Sequence, residues 1–570
     1  MNRNLLTRYL SLLVLYWAAP FGKCELQNIT DLEIQKKIED FINNVYLPES
    51  KVTGFGLSII QNNGEVVYGT GFGFADQEKG IPNGNQTQFL IASVTKSLTA
   101  AIVAKSLHEK FPELGEKVLD TPVRKLAPNY NFTLIDRFRS EYVTFRDMLA
   151  HRVCVENSDL TLIVESYDKS SDLAYRQRYA TEQCGFRTKY NYNNQMYVVV
   201  GEIIEEITGV PYEELVNDFL IQAGMLNSSM ASKDDDFSTM PHRAKPYYVK
   251  DNVSHPINTE LVKRVVVYNA AGGLFATPID MAKYMTLFLN SGKIGDNQVI
   301  PAEVMKWLIK PSIHIPLQFF KGKEDDNVIA NYAYGLGLLI SSYDSWQYIN
   351  HDGYFTSYSS RMSLFPTLKL GIFSSSQSVS EVGILPLHMF ITEILRGTEN
   401  ATEKVMKVIE HEKKFRNIVL TNNKQALQNF LGRNETTNIV ESDEEIVGKY
   451  GSAIGGDLEV LEKFNEARNA TALYVSYGKW SKGWLEQVGN TSTYKITWGT
   501  DIFQDFYALG DTSDSVVTIS NGTFAFLQPQ GGTMIPWTSF RLGVDISKLP
   551  TTSWDSDSCV SETKSKSKDE

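Results

Sequence analysis

Cysteine, histidine and clustered basic charge are scarce in this 570-residue chain, and each scarcity excludes a class of function. The four cysteines and eight histidines contain no CxxC, HExxH or HxH spacing, so no metal and no cofactor is expected. Lys and Arg total 55 against 67 Asp and Glu, a net charge of −12, and no basic stripe is present to neutralise phosphates; a nucleic-acid partner is therefore not expected. Long apolar runs are missing too. Beyond the N-terminus no segment reaches the roughly 18 residues of a membrane span, so none is expected in the mature chain. The glycines of AAGG at 270–273 lack the following Lys-Ser/Thr of a phosphate loop, which gives nucleotide binding little support.

What is present is 42% hydrophobic residues, enough for ordinary cores in roughly two to four domains. Residues 1–24 carry Arg3 and Arg8 before an apolar stretch at 10–21, with no acidic residue until Glu25. That layout predicts a secretory signal peptide, the alternative being an uncleaved anchor. Asn-x-Ser/Thr triplets at Asn28, Asn85, Asn131, Asn227, Asn252, Asn400, Asn434, Asn469, Asn490 and Asn521 fit a secreted glycoprotein. Cys24 lies at the expected cleavage point and Cys559 in the polar tail, which leaves Cys154 and Cys184 as the natural disulfide. The alternative is two separate thiols, with Cys559 joined to another chain.

The chain is organised around FLIASVTKSLTAAIVAKSLHEK at 89–110, where Ser93 and Lys96 stand at the entrance of an apolar helix. Positions i and i+3 share a helical face, so the amine reaches the hydroxyl, and the helix dipole favours an oxyanion there. A weak alcohol nucleophile needs such a base and such a charge-stabilising site. The spacing alone is common: Ser476/Lys479, Ser492/Lys495, Ser561/Lys564 and Ser565/Lys568 share it. Only Ser93 precedes a long apolar helical run.

Upstream, residues 31–45 read as a helix, and two alternating runs around Asn63-Gly64 predict antiparallel strands joined by a tight two-residue turn. Residues 144–151 read as a short helix. In KYNYNNQMYVVVGEIIEEITG, beginning at Lys189, Tyr192 and Asn194 precede an apolar helix that ends at Gly209. A phenol beside an ammonium can have its pKa lowered and act as a general base, and Asn194 could hold a substrate amide. The same triplet also reads as a surface loop, and it recurs at Tyr348-Ile349-Asn350. Thr277-Pro278 caps a further helix. WQYINHDGYFTSYSSRMSLFPTLKLGIFSS, from Trp346, predicts a strand, a break at His351-Asp352-Gly353, and two strands around Pro366. Such a break could present an imidazole and backbone N–H groups to a site, or be a plain turn.

Together, Ser93-Val94-Thr95-Lys96, Tyr192-Asn193-Asn194 and His351-Asp352-Gly353 resemble, in order and interval, the serine β-lactamase-like family of class C β-lactamases, D-alanyl-D-alanine carboxypeptidases and related esterases. The flanks YNN-QMY-VVVGEIIEEITG, AAGGLFATPIDMAKYM and YGLGLLI resemble it as well, and the resemblance runs from about residue 36 to 396. It implies an α+β transpeptidase fold, an antiparallel sheet flanked by helices plus a helical subdomain, with the site between them. It also implies roles: Ser93 is acylated, Lys96 exchanges its proton, Tyr192 is the base, Asn194 orients substrate, and His351 stands where many relatives carry lysine. The oxyanion hole would be the backbone N–H groups of Ser93 and Tyr354. Relatives usually read His-Thr-Ser-Gly where this chain has His151-Arg152-Val153-Cys154, and their Tyr-x-Asn often carries Ser where Asn193 stands. A Cys154–Cys184 bond would pin the loop carrying the base.

The expected organisation is a signal peptide (1–24), a catalytic domain (25–398), a helical linker (399–443), a small antiparallel β-barrel or sandwich resembling the lipocalin-like accessory domain of some relatives (444–545), and a disordered tail (546–570). Trp480, Trp484, Trp498 and Trp537 are expected to pack the barrel core rather than line a ligand cavity. Two functions follow: a secreted serine hydrolase acting on a small ester or peptide through an acyl-enzyme, or a non-catalytic glycoprotein of an extracellular or shell matrix.

Overall fold

Alternation of side chains along residues 54–61 places this strand at the centre of the N-terminal unit. In the computed structural model, which describes residues 26–250, 253–321, 327–378, 380–432, 437–440, 443–499, 515–530 and 533–545, every residue of Gly54–Gln61 is buried. Phe55, Leu57 and Ile59 pack against helices Leu32–Phe41 and Leu385–Leu395, while Ile60 faces the opposite layer with Met362, Leu364 and Phe373. A strand covered on both faces needs such a period-two division. Each aliphatic side chain so buried contributes about 1.5–3 kcal/mol. The expected signal peptide at 1–24, Cys559, Asn252, Asn434, the Ser561 and Ser565 pairs and the expected tail at 546–570 lie outside the described residues.

Among the described residues the main sheet has nine antiparallel strands. Their order is Ile313–Lys321, Asn327–Tyr334, Leu339–Tyr343, Trp346–Phe355, Tyr358–Phe365, Leu370–Ser376, Gly54–Gln61, Val66–Asp76 and Ile81–Pro82. The chain ends of the unit thus meet mid-sheet, with Leu57 opposite Ser374. Two local expectations are corrected. The turn after Gly54–Gln61 is a three-residue helical turn, Asn62–Gly64, with φ of 52°, 60° and 92°, which Asn and Gly tolerate. His351-Asp352-Gly353 is not a break: these residues pair with Met362, Arg361 and Ser360 inside the continuous strand Trp346–Phe355. Gly353 serves a close approach rather than a turn, because a Cβ there would lie 2.1 Å from the Ile91 carbonyl oxygen.

Helix Ala401–Leu431 leaves the N-terminal unit with Ala401, Val405 and Ile409 buried in its core and runs on to the last barrel strands. The C-terminal unit is a closed barrel of eight antiparallel strands, Gly448–Ser452 through Thr533–Leu542. Closure comes from pairing of Ser481–Val488 with Thr493–Trp498 and of Gly448–Ser452 with Thr533–Leu542. Of the four tryptophans, only Trp498 lies in the barrel core. Trp484 packs edge-on against Tyr474, Trp537 is exposed, and the Trp480 indole N–H donates to Glu165 of the N-terminal unit. Period-two alternation sends neighbouring positions outward, which composition could not reveal.

The barrel is seated on residues 160–167. Leu160 and Val164 of the short helix Leu160–Val164 belong to the barrel's own core. Lys479 N–H donates to the Val164 carbonyl at 3.0 Å, and Tyr167 OH to that of Ile454 at 2.8 Å. Gly478, at φ +58°, lies so close that a Cβ would stand 2.2 Å from the Val164 oxygen.

The segment before that helix is cross-linked to the loop leading to Tyr192. Cys154 and Cys184 form the expected disulfide, across a sequence separation of 30. The fully buried Asp147 carboxylate accepts from Arg152 Nε at 2.6 Å and from Arg187 Nε and Nη2 at 2.8 and 2.7 Å. The sequence departure at 151–154 is therefore a brace. Replacing both cysteines by serine should lower unfolding stability by about 3 kcal/mol through the freed loop, measured by denaturant unfolding of oxidised wild type and the double variant.

Candidate active site

Ser93 sits one turn ahead of helix Thr95–Lys110, in the short turn Ala92–Val94. Ala92 adopts φ +44°, a left-handed conformation uncommon for a residue with a Cβ, directly before the serine. The helix that follows is buried from Thr95 to Ala104, Lys96 included, at 0% exposure. Lys96 Nζ lies 3.0 Å from Ser93 Oγ and 2.7 Å from the Ala271 carbonyl oxygen. It also stands over the rings of Tyr192 and Tyr197, at 5.0 and 5.3 Å. Burial disfavours the ammonium and brings its pKa down to about 7, against an opposing pull from the Asp159 carboxylate.

Tyr192 reaches the same atom from the other side, its hydroxyl donating to Ser93 Oγ at 2.9 Å. The electrostatic expectation for this phenol is reversed. Burial pushes its pKa well above the ordinary value, and Tyr190, Asp159 and Asp352 push the same way against the hydrogen bond with Ser93. Tyr192 is thus a neutral proton donor to Ser93, and Lys96 the titrating partner.

The loop position of Tyr192 follows from its neighbours. Asn193 is the N-cap of helix Asn194–Thr208: its Oδ1 accepts from Met196 N–H at 3.1 Å, and its own N–H donates to His151 Nδ1 at 3.1 Å. His151 is 1% exposed and stacks on Tyr192 at 4.2 Å between ring centroids. Burial holds it neutral, so it braces the loop without charge. Asn194 donates from Nδ2 to Asp159 Oδ1 at 2.9 Å and, through its backbone N–H, to Asn157 Oδ1 at 3.3 Å.

His351 lies beside the site without joining the Ser93 contacts. Its Nδ1 is 2.6 Å from the Asp352 carbonyl and its Nε2 2.8 Å from Tyr334 OH, which fixes Nδ1–H as donor and Nε2 as acceptor. Burial and Lys96 lower its pKa to about 4. The imidazole is uncharged at neutral pH. Tyr354, 60% exposed, follows Gly353 where the strand presses on the serine turn, and Ser360 Oγ ties the same turn through the Ile91 carbonyl at 2.6 Å.

The competing motif copies lie elsewhere. Tyr348 and Asn350 are buried around Arg361, Ser476 and Lys495 are on barrel strands, and Lys479 is 3.6 Å from Glu165. Sequence reading missed Asp159 and the Ala271 carbonyl. Asp159 lies in a polar stretch before an apolar run and so looked like an ordinary helix start; the Ala271 contact is backbone and leaves no residue-type signal. No helix among the described residues is long and apolar enough to cross a membrane.

The chain is 28% identical over 255 residues to a teichoic acid D-alanine hydrolase of Staphylococcus aureus, covering 44% of this chain and 56% of that protein. It is 23% identical over 352 residues to an unguisins hydrolase of Aspergillus violaceofuscus, covering 60% and 61%. It thus spans little more than half the length of these curated relatives. Among solved structures, an octameric penicillin-binding protein homologue from Pyrococcus abyssi superposes with a TM-score of 0.53 at 21% identity, over 89% of this chain and 99% of that one, a likeness of fold. The Beta-lactamase family profile matches residues 49–383, more than half of the chain, and the protein belongs to that family.

Proposed function

We propose that the protein is a secreted serine hydrolase that acylates Ser93 on an ester or amide substrate. The observation that carries this reading is the convergence on one hydroxyl, Ser93 Oγ, of Lys96 Nζ at 3.0 Å and Tyr192 OH at 2.9 Å. In the neutral form, Lys96 takes the Ser93 proton as Oγ bonds to the substrate carbonyl carbon. The oxygen of the tetrahedral adduct is stabilised by the backbone N–H groups of Ser93 and Tyr354, and the leaving alcohol or amine departs with the proton. Water then repeats the sequence on the acyl-enzyme, releasing the acid and restoring Ser93. Tyr192 relays the proton between Oγ and the leaving group, and Asn194 orients the acyl half.

Secretion is supported by the N-terminal pattern, the disulfide, and the exposure of all eight described sequon asparagines. The relative named for D-alanine hydrolysis makes D-alanyl compounds the first substrates to try.

A fluorophosphonate probe should label the secreted protein but not Ser93→Ala, and Lys96→Ala should slow labelling roughly 100-fold or more. Absence of labelling in folded wild type would overturn the hydrolase and leave the matrix glycoprotein reading. Because the neutral amine is the active form and burial brings Lys96 to about 7, kcat/KM for a neutral ester should rise with pH through about 7 and level off above it. A profile flat across that range would remove Lys96 as the base.

A further inference from the structure

Asp159 is a part-exposed carboxylate beside the Ser93 machinery that the acylation sequence does not use. Its Oδ1 accepts from Asn194 Nδ2 at 2.9 Å; among the described residues its second oxygen accepts no hydrogen bond and enters no ion pair. A carboxylate can only accept, so Asn194 must turn its NH2 toward Asp159, leaving the amide oxygen and one N–H for a ligand. Two adjacent side chains therefore offer acceptors, a pattern suited to a ligand group with several N–H donors. The remaining charge around the site points the same way. Burial lowers the Lys96 amine to about 7 and holds the His351 and His151 imidazoles neutral. Arg361 is engaged by Asp352, Tyr348 and Asn350, and Arg416 donates to the Ser380 carbonyl. Among the described residues no Lys or Arg side chain hydrogen-bonds to Asn194 or Asp159, whereas an ammonium would find an anion in Asp159.

The carboxylate is also held in place before substrate arrives. The next residue, Leu160, is buried in the barrel core with Val164, and Tyr167 and Lys479 close the seam with hydrogen bonds of 2.8 and 3.0 Å. A fixed acceptor binds an ammonium without an ordering cost on the protein side.

We propose that Asp159, with the Asn194 amide oxygen, receives the protonated α-amino group of the acyl half, so that the site takes α-aminoacyl esters and amides in preference to N-acylated ones. This rests on the serine-hydrolase reading of Ser93 and names its substrate class. Its test is the ratio of kcat/KM for alanyl para-nitroanilides with free and N-acetylated amines, in both D and L forms, for wild type and Asp159→Asn, each also titrated with the fluorophosphonate probe. Wild type should favour the free amine by roughly tenfold or more, mainly through KM, and Asp159→Asn should reduce the preference to within about threefold. A purely structural Asp159 would lower both rates together and leave the ratio unchanged. Calorimetric binding of alaninamide and N-acetylalaninamide to Ser93→Ala covers the case in which Asp159→Asn does not fold: only the free amine should bind. An unchanged ratio, a wild-type preference for the N-acetyl substrates, or equal binding overturns the assignment while labelling still upholds Ser93. Loss of labelling in wild type overturns the hydrolase reading itself, and this inference with it.

Discussion

The structure depends on the removal of one amine from water. Lys96 is fully buried in the apolar and hydroxylated first part of its helix, Thr95 to Ala104, and a charged lysine there would be strongly disfavoured. Its surroundings lower the cost: Ser93 Oγ and the Ala271 carbonyl hold the nitrogen, tyrosine rings cover it, and among the described residues no carboxylate forms an ion pair with it, the Asp159 charge acting from farther away. Burial of Tyr192 follows from the same packing, so desolvation shifts the two groups in opposite directions. A phenol and an amine whose ordinary pKa values nearly coincide are driven apart, one upward and one to about 7.

Such a site works only if Tyr192 cannot drift, and the region that departs from its relatives supplies the constraint. Arg152 and Arg187 share Asp147, Cys154 is bonded to Cys184, and His151 receives the Asn193 N–H. Ionic, covalent and neutral hydrogen-bonding devices thus converge on one loop. Breaking the Asp147 ion pairs would leave a buried charge without a partner, which makes that brace the most sensitive of the three. The sequence change is consistent with retained geometry rather than with decay of the site.

The barrel belongs to the same construction. It takes Leu160 and Val164 into its own core, so the catalytic unit supplies part of the barrel's packing and the barrel fixes the helix beginning after Asp159. Asn194 is bonded to that aspartate. The seam between the two units, where Gly478 approaches Val164 and Trp480 meets Glu165, therefore continues to Asp159 and Asn194.

The sequence by itself determined the apolar helix behind Ser93, the i, i+3 reach of Lys96, the capped helix after Asn193, the period-two strands of sheet and barrel, and the Cys154–Cys184 pairing. These are local periodicities, cap residues and counts of reactive groups, which short-range physics dictates. Tertiary structure alone decided that His351-Asp352-Gly353 stays in a strand, that Trp480 leaves the barrel to meet Glu165, that the Tyr192 phenol is raised rather than lowered, and that Asp159 stands beside Asn194. Each of these depends on desolvation or on contact between segments far apart in the chain. Burial, unlike periodicity, is a property of what the rest of the molecule brings alongside.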